Sequence, residues 1–146
     1  MMTDVGHIIG SAAIHLSIAE KEKTIRLTYS GDVGRYNDPI LHAPQSIPQS
    51  DYLILESTYG NSLHDPVEST YKTLLETIIK TCVENRGRLV IPAFSVGRTQ
   101  EIIYALNRLE IDKQLPDIDV FVDSPLSVEA TRVVARSEEH TSELQS

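Results

Sequence analysis

Apolar and polar residues alternate from Thr24 to Tyr29, with Ile25, Leu27 and Tyr29 on one side. That period of two predicts a strand with one apolar face. Ile8 to Ile18 is a second strand-like run, and the polar "AEKEKT" between the two predicts a hairpin. "NDPILHAPQSIPQS" carries Pro39, Pro44 and Pro48 and predicts a loop. "DYLILE" is short and almost continuously apolar, the pattern of a strand covered on both faces.

The period then lengthens. Val67, Tyr71, Leu74, Leu75, Ile78, Ile79, Cys82 and Val83 follow helical spacing. Asp65 suits the cap, Pro66 the first helical position and Gly87 the C-terminal stop. "RLVIPAF" predicts a buried strand. Gly97 to Leu109 predicts a helix with Ile102, Ile103, Leu106 and Leu109 inward. "IDVFVD" predicts another strand, and Ser127 to Ala135 begins another helix. Helices alternating with apolar strands imply a parallel sheet with right-handed crossovers. The chain therefore changes near residue 57 from a β-hairpin to an α/β pattern.

Composition narrows the function classes. The 146 residues carry a formal charge of −8, which argues against a surface that grips nucleic acid by bulk charge alone. Cys82 is the single cysteine, so no internal disulfide forms and a reducing, cytoplasmic compartment is expected. No apolar run approaches the roughly 20 residues of a membrane span. The last stretch, "RSEEHTSELQS" (136–146), is polar and without apolar periodicity. It matches the in-frame translation of a common sequencing adapter beginning AGATCGGAAGAGC and is set aside as a non-native scar. Without it, 12 basic and 18 acidic residues leave a net charge of −6.

Three residues with useful chemistry sit beside strand ends. His7 lies in "DVGHIIGSA", Asp32 in "SGDVGR" and Glu56 in "LILESTYG". Loops at strand ends can aim side chains at a shared cleft, and glycine lets backbone approach closely. Taken singly, Asp32 also reads as turn chemistry and His7 as an ordinary histidine. Ser95, Gly97 and Arg98 in "AFSVGRTQE" precede a helix, where N–H groups, the helix dipole and an arginine favour a phosphate. A capped helix with an ion-paired arginine fits the same residues. Asp123, Ser124 and Pro125 read first as a helix start, and Arg35 and Tyr36 follow Asp32 closely enough to line a cleft.

"DVGHIIGSA", "SGDVGR", "LILESTYGN", "IPAFSVGRTQE" and "VDSPLS", in that order, resemble the metallo-β-lactamase-fold nucleases with a β-CASP insertion. The resemblance covers nearly all of residues 3–130. It is closest to the branch holding the mRNA 3′-end cleavage endonuclease of eukaryotes and its bacterial and archaeal counterparts, and points to the bacterial side. It implies an α/β fold: the C-terminal part of an αββα sandwich (1–57), then the start of a β-CASP domain with parallel strands (58–135). It also implies that the chain is an internal fragment. His7 matches a metal-ligand motif, and Asp32 matches the carboxylate that bridges two Zn2+ ions. Glu56 matches an acidic motif that orients a downstream histidine acting as general acid. RNA is the implied substrate. The family's HxHxDH motif does not occur in this sequence, so the fragment alone is expected to be inactive. A DNA nuclease or small-molecule hydrolase of the same fold is the nearer alternative. Glu in "LILESTYG" leans to the RNA branch, and "IPAFSVGRTQE" argues against simple hydrolases. A non-catalytic RNA-binding scaffold paralogue is the other, and retention of His7 and Asp32 favours the enzyme.

Overall fold

Alternating side chains, tight turns and a proline-rich return build a sheet from the first 62 residues. The computed structural model describes residues 1–62 and 67–143, with side chains left aside at 67–68 and 137–143, and divides into two units, Met1–Ser62 and Leu63–Ser146. In the first unit β1 (Met2–Asp4), β2 (Ala12–Glu20), β3 (Lys23–Tyr29) and β4 (Tyr52–Ile54) form one sheet in the order β1-β2-β3-β4. The expected hairpin forms, with Ile18 opposite Ile25, Leu16 opposite Leu27 and Ile14 opposite Tyr29. Its turn is tighter than "AEKEKT" suggests: Glu20 already pairs with Lys23, and Lys21 takes a left-handed φ of 52°.

The strand-like run from Ile8 is shorter than its apolar content predicts. Residues 6–10 turn, and β2 begins at Ala12 after pairing back onto β1. Ser11 makes the turn: its N–H donates to Ile8 O at 3.0 Å, and its hydroxyl accepts from the N–H groups of His7 and Ile8 at 3.1 and 3.2 Å. From β3 the chain crosses the polar face and returns as β4, parallel to β3. That face holds Ala13, His15, Thr3 and Thr28, three of them buried. Thr3 Oγ1 meets His15 Nε2 at 2.7 Å, His15 Nδ1 meets Thr28 Oγ1 at 2.9 Å, and Thr28 contacts Ser50 on the crossing segment. On the other face Ile14, Leu16, Ile18 and Tyr29 stay between 40% and 53% exposed. "DYLILE" is likewise an edge strand rather than a doubly covered one: β4 pairs with β3 alone, and Tyr52 to Leu55 are all more than half exposed.

The second unit is helical. α1 (Val67–Ile78) continues into a π-helical stretch, Ile79–Glu84, and buries Ile78. The expected cap residues Asp65 and Pro66 lie outside the described residues. The helical stretch ends at Glu84, capped by Asn85, and its left-handed position falls one residue before the predicted glycine. Arg86 takes the left-handed φ of 50°, and Gly87 N–H reaches back six residues to Thr81 O at 2.8 Å, one residue beyond a Schellman bond and in step with the preceding π-helical turn. α2 (Arg98–Ile111) buries Ala105 and Leu109, with Ile102, Ile103 and Leu106 half-buried. α3 (Pro125–Glu143) starts at Pro125, where Ser124 Oγ accepts from Ser127 N–H at 3.2 Å. Its backbone stays helical through Glu143, as a Gly- and Pro-free run permits.

The two expected strands of this unit do not form. "RLVIPAF" and "IDVFVD" have no ladder partner among the described residues. Pro92 removes one donor, and Val90, Phe94 and Phe121 are 83%, 85% and 86% exposed. The fold is therefore mixed α/β with its sheet in the first unit, and the predicted parallel sheet is absent from the described residues.

Candidate functional site

The strand order sends three loops to one end of the sheet. β2 runs antiparallel to β3 and its start lies beside the end of β3, since Ile14 faces Tyr29. β4 runs parallel to β3, so their ends coincide, Tyr29 beside Ile54. The turn before β2 carries His7, the turn after β3 carries Asp32, and the residues after β4 carry Glu56. All three predicted residues thus arrive at the same edge, although they come from three different elements.

Glycines allow these turns to touch. Gly34 N–H donates to Val5 O at 2.8 Å, and a Cβ on Gly34 would fall 1.8 Å from Gly6 O. A Cβ on Gly6 would fall 2.3 Å from His42 O, and Gly6 has φ +61°. So the glycines flanking the two candidate residues serve the approach of backbone to backbone. Asp4 Oδ1 also accepts from Gly6 N–H at 2.8 Å. This Asx turn was open to reading in "DVG", with an acceptor two residues before the glycine.

His7 Nε2 and Asp32 Oδ2 lie 3.9 Å apart, with side chains 46% and 72% exposed. A cation about 2.0–2.2 Å from each ligand can be reached by both at this separation. An imidazole nitrogen and a carboxylate are a donor pair suited to zinc. They supply two ligands: among the described residues no group of three or more His, Cys, Asp or Glu forms a metal cluster.

Glu56 is engaged differently. Its Oε1 accepts from Val33 N–H at 2.8 Å and its Oε2 from Thr58 N–H at 3.1 Å. Its own N–H donates to Ser30 Oγ at 3.1 Å. These bonds, the one from Val33 foremost, then those from Thr58 and the field of His7, hold its carboxyl below the usual range. Ser30, fully buried, was not anticipated from sequence as a tie between strand ends. Arg35, expected near the cleft, is held at 3.1 Å by Asp38, whose other oxygen accepts from Ile40 and Leu41 N–H. Tyr36 is 76% exposed.

Ser95, Gly97 and Arg98 stand together in the second unit at the start of α2. Gly97 N–H is occupied by Gln100 Oε1 at 2.7 Å, Arg98 pairs with Glu101 at 2.8 Å, and Ser95 Oγ meets Ser124 Oγ at 3.2 Å. The geometry there is that of a capped helix with an ion-paired arginine.

No family model matches the chain. Among curated proteins it is 36% identical over 132 residues to the RNase J-like protein of Methanocaldococcus jannaschii, covering 89% of this chain and 30% of that protein. It is 36% identical over 122 residues to a ribonuclease of Thermus thermophilus, covering 84% and 27%. Cleavage and polyadenylation specificity factor subunit 3 of Dictyostelium discoideum is 32% identical over 126 residues, covering 85% and 16%. The chain thus spans less than a third of these relatives. Its described residues contain no helix long and apolar enough to cross a membrane.

Proposed function

We infer that the chain belongs to the β-CASP ribonucleases of the metallo-β-lactamase fold, and propose that it is an internal segment of a zinc-dependent enzyme that cleaves RNA phosphodiester bonds. Similarity to proteins named RNase J-like, ribonuclease and cleavage and polyadenylation specificity factor supports the substrate class. The observation that carries the proposal is the arrival of His7 and Asp32, 3.9 Å apart, at one end of the sheet.

In this reading His7, through a ring nitrogen, and Asp32, through its carboxylate, would hold zinc. Zinc bound there would supply Lewis acidity toward a phosphate. The chain's own contribution is placement: Ser11 fixes the His7 turn, and Gly34 lets the Asp32 turn close against it. Ser95, Gly97 and Arg98 would reach an RNA backbone by exchanging their present partners Ser124, Gln100 and Glu101 for phosphate oxygens, in a protein working in the cytoplasm.

The test uses a family-length protein containing this segment. Asp32→Asn there nearly abolishes RNA cleavage and lowers zinc content while the melting temperature holds. Unchanged zinc content with unchanged turnover would overturn the assignment. The 146-residue chain alone offers two ligand positions and binds zinc weakly, which calorimetry reads directly.

A further inference from the structure

We propose that Glu56 is a positioning residue for the Asp32 turn, acting through the backbone of Val33. The proposal rests on the reading of Asp32 as a metal ligand and adds a role that the resemblance does not supply.

Both Glu56 oxygens are committed to main-chain donors, Oε1 to Val33 and Oε2 to Thr58. Val33 directly follows Asp32, so that bond restrains the peptide from which the Asp32 side chain projects. The residues before Asp32 are tied as well. Ser30 N–H donates to Ile54 O at 3.0 Å, and Ser30 Oγ donates to Gly31 O at 2.7 Å while accepting from Glu56 N–H. Beyond Val33, Gly34 N–H is held by Val5 O. The turn carrying Asp32 is thus fixed on both sides, with Glu56 the side chain that clamps Val33 on its far limb. Asp32 itself is 72% exposed and has little packing to set its direction.

The two bonds suit a glutamate: aspartate is one methylene shorter and draws its carboxylate back from Val33. Glutamine keeps a single acceptor, and its amide NH2 would face one of the two N–H groups, donor against donor. Supporting partners of this kind orient metal ligands, and losing one typically costs about 10- to 100-fold in metal affinity.

Two measurements test the proposal. In the 146-residue chain without metal, Glu56→Gln accelerates amide exchange at Val33 at least about tenfold while Leu16, within β2, keeps its rate. Unchanged exchange at Val33 would overturn the clamp. In a family-length protein, Glu56→Gln lowers zinc affinity about tenfold or more with the melting temperature held. Unchanged affinity with a reduced kcat and an altered pH profile would overturn the positioning role in favour of one in proton transfer. If Asp32→Asn leaves zinc affinity intact, the metal reading fails, while Val33 exchange still reports on the clamp.

Discussion

At the end of β3, Tyr29 pairs with Ile14 on one side and Ile54 on the other, and the next residue, Ser30, is fully buried. At the corresponding point of the second unit, Phe94 ends an equally apolar run with 85% of its surface exposed and no strand beside it among the described residues. Both segments have β-branched and aromatic residues. The difference lies in their neighbours. β3 finds β2 two residues away in sequence, through a hairpin, and β4 after one crossover. A parallel strand needs a partner a dozen or more residues away across a crossover, and apolar sequence alone does not provide one. Strand identity in the second unit thus depends on what pairs with it, whereas its helices close their own backbone hydrogen bonds.

The largest expected effect falls on the first unit. Gly34→Ala places a Cβ 1.8 Å from Gly6 O and 2.8 Å from His7 N, all backbone that cannot swing aside. The turn must open, at a cost of about 3 kcal/mol or more in the stability of that unit. Urea unfolding followed by residue-resolved amide exchange should show Val5 and Ala13 losing protection while Ala105 and Leu109 keep theirs. Matching unfolding of mutant and wild type would mean that the two turns do not touch.

Legibility followed the same division. The β2–β3 hairpin was visible because its alternation and turn are local, and His7, Asp32 and Glu56 were visible through their places beside strand ends and through family motifs. Their convergence needed the strand order, which no single segment encodes. Ser30 and Ser11 were missed because a hydroxyl that ties backbone groups looks like any loop serine. The apolar content of "RLVIPAF" predicts a buried strand and that of "IDVFVD" a strand, but such content reports a tendency to be covered and not the presence of a cover. The end of α1 was legible to within one residue, with the left-handed position falling at Arg86 rather than Gly87.

A smaller effect is expected at Gln100, which joins α2 to α3. Its Nε2 donates to Ser95 O and Thr131 Oγ1, both at 3.1 Å, its Oε1 accepts from Gly97 N–H, and its residue surface is 4% exposed. Gln100→Leu strands those half-buried partners and costs about 2 kcal/mol. The loss should appear as a lower melting point with the exchange pattern of β2 and β3 unchanged. Equal loss of protection in both units would show that they unfold together, and the contrast between them would not extend to stability.

Next comes the hydroxyl chain on the polar face. Ser50 Oγ donates to Pro48 O at 3.1 Å, so Thr28 donates to Ser50 and accepts from His15 Nδ1–H, which leaves Nε2 to accept from Thr3. Thr28→Val keeps the volume, removes both bonds and costs about 1–2 kcal/mol. Nitrogen-15 spectra of His15 should show the Nδ1–H tautomer in the wild type. The Nε2–H tautomer would reverse the chain and contradict the donation from Ser50.

The smallest expected effect concerns Asp51, where the crossing segment enters β4. Its N–H donates to Arg26 O at 2.9 Å, and its Oδ2 accepts from Arg26 N–H at 2.7 Å, closing a reciprocal pair with β3. The backbone bond from Arg26, then the Arg26 side chain, lowers the Asp51 pKa from its ordinary 3.8. A depressed carboxylate pKa contributes stability above the unfolded value, and that contribution fades as pH falls through the folded one. Asp51→Asn should therefore melt slightly below wild type at neutral pH, and the gap should close as acidification passes below 3.8. Both side chains are exposed and screened by solvent, so added salt should shrink the ion-pair part and leave the backbone part. Parallel melts of the two proteins across that acid range, at low and high salt, decide it. A gap that widened on acidification would mean that Asp51 loses rather than gains from folding, and that β4 is held by its ladder to β3 alone.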